Sequence, residues 1–228
     1  MSGDRPRILV CDDEQQILRA LRVILRDAGY EALPASSVEE ALDVAAVQRP
    51  DGAILDLMLP DGDGVELCAK LREWTTMPII LLSAATDEDA KVRALAAGAD
   101  DYVTKPFGPR ELIARLQANL RRTGAAGGDS AVITAEGLEL DLARHILKIR
   151  GEEVHLTPTE FDLLRTLASN SGRLLTHREL LTTVWGQGYS EDTQVLRAHM
   201  ANLRRKIETG GGHRLIKTES GVGYRFAG

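Results

Sequence analysis

The sequence has few cysteines, few aromatic side chains and no long apolar run. Its 228 residues include two cysteines, and aromatic residues make up 4% of the chain. Two isolated cysteines, Cys11 and Cys68, provide no disulfide framework, so we expect small buried side chains and a reducing compartment. No window approaches the roughly 18 apolar residues of a membrane span. Residues 1–14 lack the apolar core of a secretory signal, which predicts a cytoplasmic protein without a membrane partner.

Positive charge is scarce in the first part of the chain. Residues 1–130 carry 15 Lys and Arg against 22 Asp and Glu, a net charge of −7. Residues 131–228 carry 13 against 12, a net charge of +1, together with all five histidines. Both the length and this asymmetry predict two domains with different partners.

The first part of the chain alternates short apolar runs with segments of helical spacing. Predicted strands cover residues 7–11, 30–35, 52–56, 77–83 and 101–104. Predicted helices cover residues 14–28, 37–48, 63–74, 87–97 and 109–122. This alternation predicts an α/β fold, a doubly wound five-stranded parallel sheet of the flavodoxin-like kind. Ligands of such sheets bind beyond the carboxyl ends of the strands.

The second part follows a different pattern. A glycine-rich segment, 123–130, predicts a flexible linker between a domain of residues 1–122 and one of residues 131–228. Four short strand-like runs within 131–156 precede two helices that begin with capping boxes at Thr157 and Thr176. A basic helix at 192–208 and a glycine-containing hairpin complete the chain. This order predicts a winged helix-turn-helix.

Carboxylates, a hydroxyl and a lysine lie at the predicted strand ends. Asp12 and Asp13 end the first strand and Asp56 ends the third, so the three carboxylates converge. Such like charges require a cation, and an all-oxygen set suits Mg²⁺. Ser83 ends the fourth strand and Lys105 the fifth. The set fits phosphoryl transfer onto an aspartate. Turn formation explains the nearby Asp61 and Asp63, which we do not expect to bind the metal.

The basic helix has an apolar stripe formed by Leu196, Met200, Leu203 and Ile207. The opposite face is predicted to carry Gln194, Ala198, Ala201, Asn202 and Arg205, with Arg197 and Arg204 on one flank and His199 and Lys206 on the other. Glutamine, asparagine and arginine can read base edges in a major groove, while flanking cations contact phosphates. Simple solvation would also explain a basic face, but the neighbouring helices and hairpin favour DNA.

Four motifs of the first 122 residues resemble the receiver domain of two-component response regulators. They are Asp12-Asp13, "LDLMLPDGDG" around Asp56, Ser83-Ala84 and "GADDYVTKPF". The resemblance implies that a sensor histidine kinase phosphorylates Asp56. It implies that Asp13, Asp56 and the carbonyl of Met58 bind Mg²⁺, with Asp12 contributing through water. It also implies that Ser83 and Tyr102 form a switch pair and that Lys105 senses the phosphoryl group.

The motifs "LTPTEFDLL", "LLTHRELLTTVWG", "HMANLRRKI" and "GVGYRF" resemble the DNA-binding domain of the OmpR/PhoB family over residues 131–228. The resemblance implies a recognition helix at 193–207 and a wing at 218–225, which adds Thr218 and Tyr224 to the expected DNA contacts. Because the predicted linker is flexible, two-fold receivers could place their DNA-binding domains head to tail, so we expect a direct-repeat promoter site, with RNA polymerase as a further partner.

Two departures affect base preference. Many family members carry arginine where this chain has Ser220, and two basic residues where it has Ala201 and Asn202. Base preference therefore cannot be transferred. Within the family the pattern resembles the regulators of Kdp potassium uptake, which implies control of potassium-uptake genes. Control of another regulon stays open.

Family resemblance also implies a phosphorylation-dependent, two-fold receiver dimer held by ion pairs. The expected pairs are Lys91–Glu111, Asp101–Arg115 and Asp100–Arg122. A solvated charged surface is the simpler explanation for these residues, and exposed pairs each contribute only about 0.2–1 kcal/mol.

Two other functions compete with that of a non-enzymatic regulator. A haloacid-dehalogenase-like phosphatase also uses aspartate and Mg²⁺, but it requires a DxD motif where this chain has Cys11-Asp12-Asp13-Glu14. A DNA-binding protein with a degenerate receiver would not need the complete set of carboxylates, hydroxyl and lysine. We therefore expect a transcription factor controlled by phosphorylation.

Overall fold

The computed structural model describes residues 5–84, 88–124, 132–208 and 214–227. The chain divides into two compact units, Met1–Leu120 and Arg121–Gly228. Within the described ranges, no helix is both long enough and apolar enough to cross a membrane.

The N-terminal unit is the predicted doubly wound sheet. Its elements are β1 (Arg7–Cys11), α1 (Gln15–Asp27), β2 (Glu31–Ala35), α2 (Val38–Gln48), β3 (Gly52–Asp56), β4 (Met58–Leu59), β5 (Gly62–Asp63), α3 (Gly64–Arg72), β6 (Ile79–Ala84), α4 (Glu88–Ala96), β7 (Asp101–Lys105) and α5 (Pro109–Gly124). Five strands pair in parallel in the order β2-β1-β3-β6-β7. The β4–β5 hairpin was not predicted, because strands of two residues show no periodicity.

The central strands are covered on both faces. All five residues of β3 are buried, as is usual for a parallel strand beneath two layers of helices. Leu9 and Leu55 pack in one cluster with residues of α2, α3 and α4. Ile8 and Ile54 pack in the other with residues of α1 and α5. Alternate side chains of each strand thus supply two cores, which fix the register of the sheet.

Both cysteines are buried within the first of these clusters, as the sequence predicted. Burial raises the pKa of the Cys11 thiol to about 12, with a further contribution from the carboxylate of Asp12. Burial likewise raises the pKa of the Cys68 thiol to about 12. Both thiols are therefore protonated at neutral pH and act as small apolar side chains.

Asp61 and Asp63 serve the turn, as expected. The carboxylate of Asp61 accepts hydrogen bonds from the backbone N–H groups of Val38 and Glu39 at 2.8 and 3.1 Å. These two bonds hold the pKa of Asp61 below its usual value. Asp63 is the N-cap of α3 and accepts from the N–H of Val65 at 2.8 Å. The hairpin after β3 is thus attached to the first turns of α2 and α3.

The C-terminal unit contains a four-stranded sheet, three helices and a three-stranded wing sheet. Its elements are β8 (Val132–Ala135), β9 (Leu138–Asp141), β10 (Ile146–Ile149), β11 (Glu152–Val154), α6 (Pro158–Ala168), β12 (Leu174–Thr176), α7 (His177–Val184), the 3₁₀ turn η1 (Gln187–Tyr189), α8 (Thr193–Ile207), β13 (Ile216–Glu219) and β14 (Gly223–Phe226). The sheets have the orders β11-β10-β9-β8 and β12-β14-β13. This architecture is the predicted winged helix-turn-helix.

Local sequence explains where the helices of this unit begin. Thr157 and Glu160 form a capping box at α6, and Thr176 and Glu179 form another at α7. Strand β12 was not predicted, because its three residues run directly into the cap of α7. Strand β12 pairs with β14 and so connects the start of α7 to the wing sheet.

Helix α5 runs two residues beyond its predicted end and includes the first residues of the predicted linker, Thr123 and Gly124. Residues 125–130 of that linker lie outside the described ranges. The proposed domain boundaries remain predictions.

Gly64 occupies a position that only glycine can fill. A Cβ atom placed there would lie 1.9 Å from the carbonyl oxygen of Asp56, whereas a Cβ atom at Gly108 would have no atom within 4 Å. The N–H of Gly64 also donates to the carbonyl of Leu57 at 2.8 Å. The absence of a side chain therefore lets α3 begin directly against the end of β3.

We expect Gly64→Ala to lower the free energy of unfolding by roughly 1–3 kcal/mol, because backbone must move to relieve the overlap. Gly108→Ala is the matched control and should change it by less than about 0.5 kcal/mol. Urea denaturation of both variants measures the difference. Equal stability of the two variants would contradict the close approach at Asp56.

Candidate functional site

The carboxyl edge of the parallel sheet brings three aspartates together. Asp12 follows β1 and Asp56 ends β3, and these strands are adjacent, with Cys11 opposite Leu55. Asp12, Asp13 and Asp56 each offer a carboxylate oxygen within 4.8 Å of the others. Asp12 and Asp56 are buried, and Asp13 is exposed. The convergence predicted from strand order is therefore present.

Lys105 joins two of these carboxylates. Its Nζ lies 2.8 Å from Asp12 Oδ2 and 2.8 Å from Asp56 Oδ1. Burial raises the pKa of Asp56, and the hydrogen bond from Lys105 opposes that rise. Burial also acts against the charged form of Lys105, but its bonds to Asp12 and Asp56 outweigh burial and raise the pKa of its ammonium. The lysine therefore remains a cation and supports the nearby negative charge.

The donor set of this acidic pocket fits Mg²⁺. Three carboxylates supply oxygen ligands and carry more negative charge than one lysine neutralises, which favours a hard divalent cation. Asp12, Asp13 and Asp56 would hold the ion, and Met58, on the exposed strand β4, would add its carbonyl oxygen as the resemblance implies.

Ser83 adds a hydroxyl group one residue beyond the position that pairs with Asp56. The register places Asp56 opposite Leu82 on β6. The side chain of Ser83 is buried, and its Oγ has no hydrogen-bond partner among the described residues. Buried polar groups are usually paired, so this hydroxyl fits a site that a ligand completes.

The predicted dimer-face residues divide into two groups. Lys91 and Glu111 form the first group: Lys91 is partly exposed and Glu111 is exposed. Lys91 Nζ lies 5.1 Å from the ring centroid of Tyr102. Glu111 pairs with Arg115 at 3.0 Å. Arg115 also binds Asp101 at 3.2 Å, and the side chain of Asp101 is wholly buried. Asp101 and Arg115 thus form an ion pair within the chain.

Asp100 requires a correction. Its carboxylate is wholly buried and accepts from an Arg72 guanidinium nitrogen at 2.5 Å and from the N–H of Ile79 at 2.9 Å. It therefore connects α3 to the start of β6 and presents no charge at the surface. The expected pair with Arg122 does not fit this position, and the side chain of Arg122 lies outside the described residues.

Helix α8 presents a polar face to solvent and a broad face to the core of its unit. The predicted apolar stripe is buried as expected, and it consists of Leu196, Met200, Leu203 and Ile207. Gln194, Arg197, Ala201 and Arg205 are exposed, and Ala198 is partly exposed. His199 and Asn202 are buried, contrary to the prediction. Because α6 and α7 both pack against α8, its buried face is wider than a single stripe.

Six of the expected DNA contacts have partners inside the unit. Lys206 Nζ lies 2.6 Å from the carboxylate of Glu160, whose side chain is 1% exposed. Arg204 donates to the backbone oxygen of Ile216 and to Thr218 Oγ1, both at 2.8 Å. Tyr224 is buried beneath the Arg204 guanidinium. The Oδ1 of buried Asn202 accepts from Arg205 at 3.0 Å. The helical wheel alone did not reveal these tertiary contacts.

Comparison with known proteins agrees with both halves of this description. The family of the response regulator receiver domain matches residues 8–117. The family described as the C-terminal domain of transcriptional regulatory proteins matches residues 151–226.

Two curated relatives match nearly the whole chain. The transcriptional regulatory protein KdpE of Mycobacterium tuberculosis (strain CDC 1551 / Oshkosh) is 51% identical over 221 residues, covering 96% of this chain and 98% of the relative. The KDP operon transcriptional regulatory protein KdpE of Escherichia coli (strain K12) is 45% identical over 220 residues, covering 96% and 98%.

Two solved structures have the same architecture. A mutant of RitR matches with a TM-score of 0.82 and 27% identity, covering 98% of this chain and all of that one. Response regulator DrrB of Thermotoga maritima, an OmpR/PhoB homologue, matches with a TM-score of 0.53 and 32% identity, covering 99% and 100%. The chain therefore belongs to the OmpR/PhoB family of two-component response regulators and is similar, along almost its full length, to the KdpE transcriptional regulators.

Proposed function

We propose that this regulator is switched on by transfer of a phosphoryl group from a sensor histidine kinase to Asp56. The observation that carries the proposal is the set of groups around Asp56. A carboxylate of raised pKa lies beside the Lys105 ammonium, within 4.8 Å of two further aspartates. It is also close in register to a buried serine hydroxyl that has no hydrogen-bond partner in the described part of the chain. Each group has a role in moving a phosphoryl group.

Asp56 is the nucleophile in this proposal. A carboxylate oxygen forms a bond to phosphorus while the bond from phosphorus to the donor breaks, and the electron pair of that bond leaves with the donor. Lys105 stabilises the negative charge of the phosphoryl oxygens, and the hydroxyl of Ser83 donates a hydrogen bond to one of them. Mg²⁺, when bound by Asp12, Asp13 and Asp56, supplies further charge neutralisation.

Asp56→Asn should abolish phosphorylation by acetyl phosphate in the presence of Mg²⁺, because an amide cannot replace the carboxylate nucleophile. Asp27→Asn is a suitable control, since Asp27 is exposed at the end of α1 and pairs with Arg26 at 2.9 Å. Intact-protein mass spectrometry reports the added phosphoryl group. Robust, Mg²⁺-dependent modification of the Asp56→Asn protein would refute the assignment.

We propose that the exposed face of α8 is the surface that binds double-stranded DNA and contacts its bases. Gln194, Arg197 and Arg205 carry groups that bond to base edges or phosphates, and Ala198 and Ala201 permit close approach. Arg205 is exposed, whereas its neighbour Lys206 supports the buried Glu160 carboxylate. We therefore assign Arg205 to DNA binding and Lys206 to the stability of the domain.

We expect Arg205→Met mainly to weaken DNA binding and Lys206→Met mainly to lower stability. Arg205→Met removes one hydrogen bond to Asn202 at an exposed position, so it should cost less stability than Lys206→Met. It should also weaken duplex DNA binding and lower the salt slope by about 1 if the contact is to phosphate. Lys206→Met should lower the free energy of unfolding by roughly 1–3 kcal/mol, because a buried carboxylate loses a partner. Denaturation and fluorescence anisotropy with duplex DNA measure both effects. Equal loss of stability in the two variants would contradict the observed orientation of α8.

Dimerisation is the proposed link between Asp56 and DNA. Phosphorylation shifts the receiver toward a state whose α4–β7–α5 face, sensed through Ser83 and Tyr102, binds a second copy. Lys91 and Glu111 supply the surface charges for this pairing. A dimer brings two DNA-binding units to a direct repeat, so the second contact becomes intramolecular and avidity rises.

A charge exchange tests the expected intermolecular pair. Lys91→Glu alone and Glu111→Lys alone should each remove most of the phosphorylation-dependent gain on a two-half-site duplex, because like charges would face each other. The double variant should restore the gain, since the pair re-forms with its signs exchanged. Reversal at Arg115 is unsuitable, because that residue neutralises buried Asp101 within the chain. Equal enhancement on a single half-site would argue against the dimer mechanism.

Potassium-uptake genes are the proposed targets. The support is the similarity to KdpE, whose Escherichia coli member is named for the KDP operon. Regulators with other names, such as PrrA of Mycobacterium tuberculosis, match at 42% identity, below the 51% of KdpE from the same species. Sequencing genomic fragments bound by the phosphorylated protein tests this assignment. Enrichment of other promoters without potassium-uptake genes would contradict it.

A further inference from the structure

Arg204 joins the last turn of α8 to the wing hairpin. Its Nη2 donates to the backbone oxygen of Ile216 and to Thr218 Oγ1, each at 2.8 Å. The central carbon of the same guanidinium lies 5.5 Å from the ring centroid of Tyr224. Ile216 and Thr218 belong to β13, and Tyr224 belongs to β14. One side chain of α8 therefore contacts both strands of the hairpin.

This arrangement differs from that of a side chain extended toward a phosphate. The Nη2 of Arg204 is occupied by two acceptors within the unit, and its Nε is buried without a hydrogen-bond partner among the described residues. Its neighbour Arg205 is exposed. The position of the guanidinium thus favours a role inside the domain.

The outer strand of the wing is connected to α8 by side chains. In the sheet order β12-β14-β13, strand β14 is held by β12, with Leu175 opposite Tyr224. Among the described residues, β13 is the edge strand of this sheet, and side chains at the end of α8 contact it. Arg204 and Glu208, whose carboxylate accepts from the N–H of Ile216 at 3.2 Å, connect β13 to the end of α8.

The wing tip is uncharged, so its contribution to DNA binding depends on how accurately the wing is placed relative to α8. Residues 220–222 are Ser220, Gly221 and Val222, which carry no charge and are exposed. Uncharged groups gain little from long-range Coulomb attraction to DNA, so their contribution depends on short-range contact. A wing that changes its angle to α8 would lose that contact even while α8 stayed in a groove.

We propose that Arg204 is a positioning residue that fixes the angle between α8 and the wing, so that both engage one DNA duplex together. This inference rests on DNA binding by the winged helix. Arginine suits the task because its planar guanidinium can donate to acceptors at one edge while its face covers an aromatic ring. Lysine keeps the charge but offers a compact ammonium without that fixed geometry.

Distances between two labels test the geometry without DNA. Spin labels at Ala201→Cys and Ser220→Cys report the separation of α8 from the wing tip by double electron–electron resonance. The native thiols of Cys11 and Cys68 are buried with pKa values of about 12, so they resist labelling in the folded protein. We expect one narrow distance distribution in the parent protein and in the Arg205→Met control, and a broad one in Arg204→Met and Arg204→Lys.

Thr218→Val provides an independent variant in case Arg204→Met fails to fold. It removes one acceptor of Arg204 at nearly constant side-chain shape and should broaden the distribution less than the Arg204 variants do. A narrow, unchanged distribution in both Arg204→Lys and Thr218→Val would overturn the proposal.

DNA binding of the unlabelled proteins completes the test. With a mixed-sequence duplex of about 30 base pairs, Arg204→Met and Arg204→Lys should both bind roughly tenfold more weakly, which corresponds to about 1.4 kcal/mol. Normal binding by Arg204→Lys with weak binding by Arg204→Met would indicate a direct phosphate contact and refute the positioning role. Failure of the wild-type protein to bind any duplex would refute DNA binding itself, while the label distances would still decide whether Arg204 holds the wing.

Discussion

Two buried carboxylates that share one lysine form the interaction on which the receiver depends. Asp12 and Asp56 end adjacent parallel strands, so the topology forces their charges together at the sheet edge. Lys105, at the end of β7, lies 2.8 Å from an oxygen of each carboxylate and offsets their mutual repulsion. The same arrangement leaves a net negative charge that a divalent cation can neutralise. Stability and the proposed phosphoryl transfer thus depend on the same few atoms.

A change of charge at Asp56 has a direct route to the surface. Lys105 ends β7, and the same strand begins with Asp101 and Tyr102. Asp101 binds Arg115, which in turn binds Glu111, while the ring of Tyr102 lies beside Lys91. Under the proposed function, the phosphoryl oxygens would draw the Lys105 ammonium toward them and so act on β7. The other end of β7 carries Asp101 and Tyr102, which belong to the α4–β7–α5 face. In the proposed dimer, small changes in the geometry of the charged groups on this face would alter the affinity for a second copy.

Sequence reasoning succeeded where a repeating pattern or strand order decides the outcome. Apolar runs at alternating intervals predicted the five strands, and parallel order then placed Asp12, Asp56, Ser83 and Lys105 at one edge. It failed where a distant side chain decides. Asp100 looked like a surface charge because nothing nearby in sequence indicated that Arg72 would bind it across the fold. His199 and Asn202 were placed outward because a helical wheel assumes one packing partner, whereas α6 and α7 both contact α8. The short strands β4, β5 and β12 showed too little pattern to detect.

The run Arg204-Arg205-Lys206 shows why counting basic residues misjudges a DNA-binding surface. Successive residues on a helix point about 100° apart, so the three cations face three different surroundings. Arg204 binds the wing, Lys206 binds buried Glu160, and Arg205 is the most solvent-accessible of the three. Two of the three charges are therefore already neutralised or enclosed within the domain and release few counterions on binding DNA. This run of three cations therefore contributes less electrostatic affinity than its sequence indicates. Under the proposals made above, accurate placement of α8 with the wing and the joining of two domains in a dimer would supply further affinity.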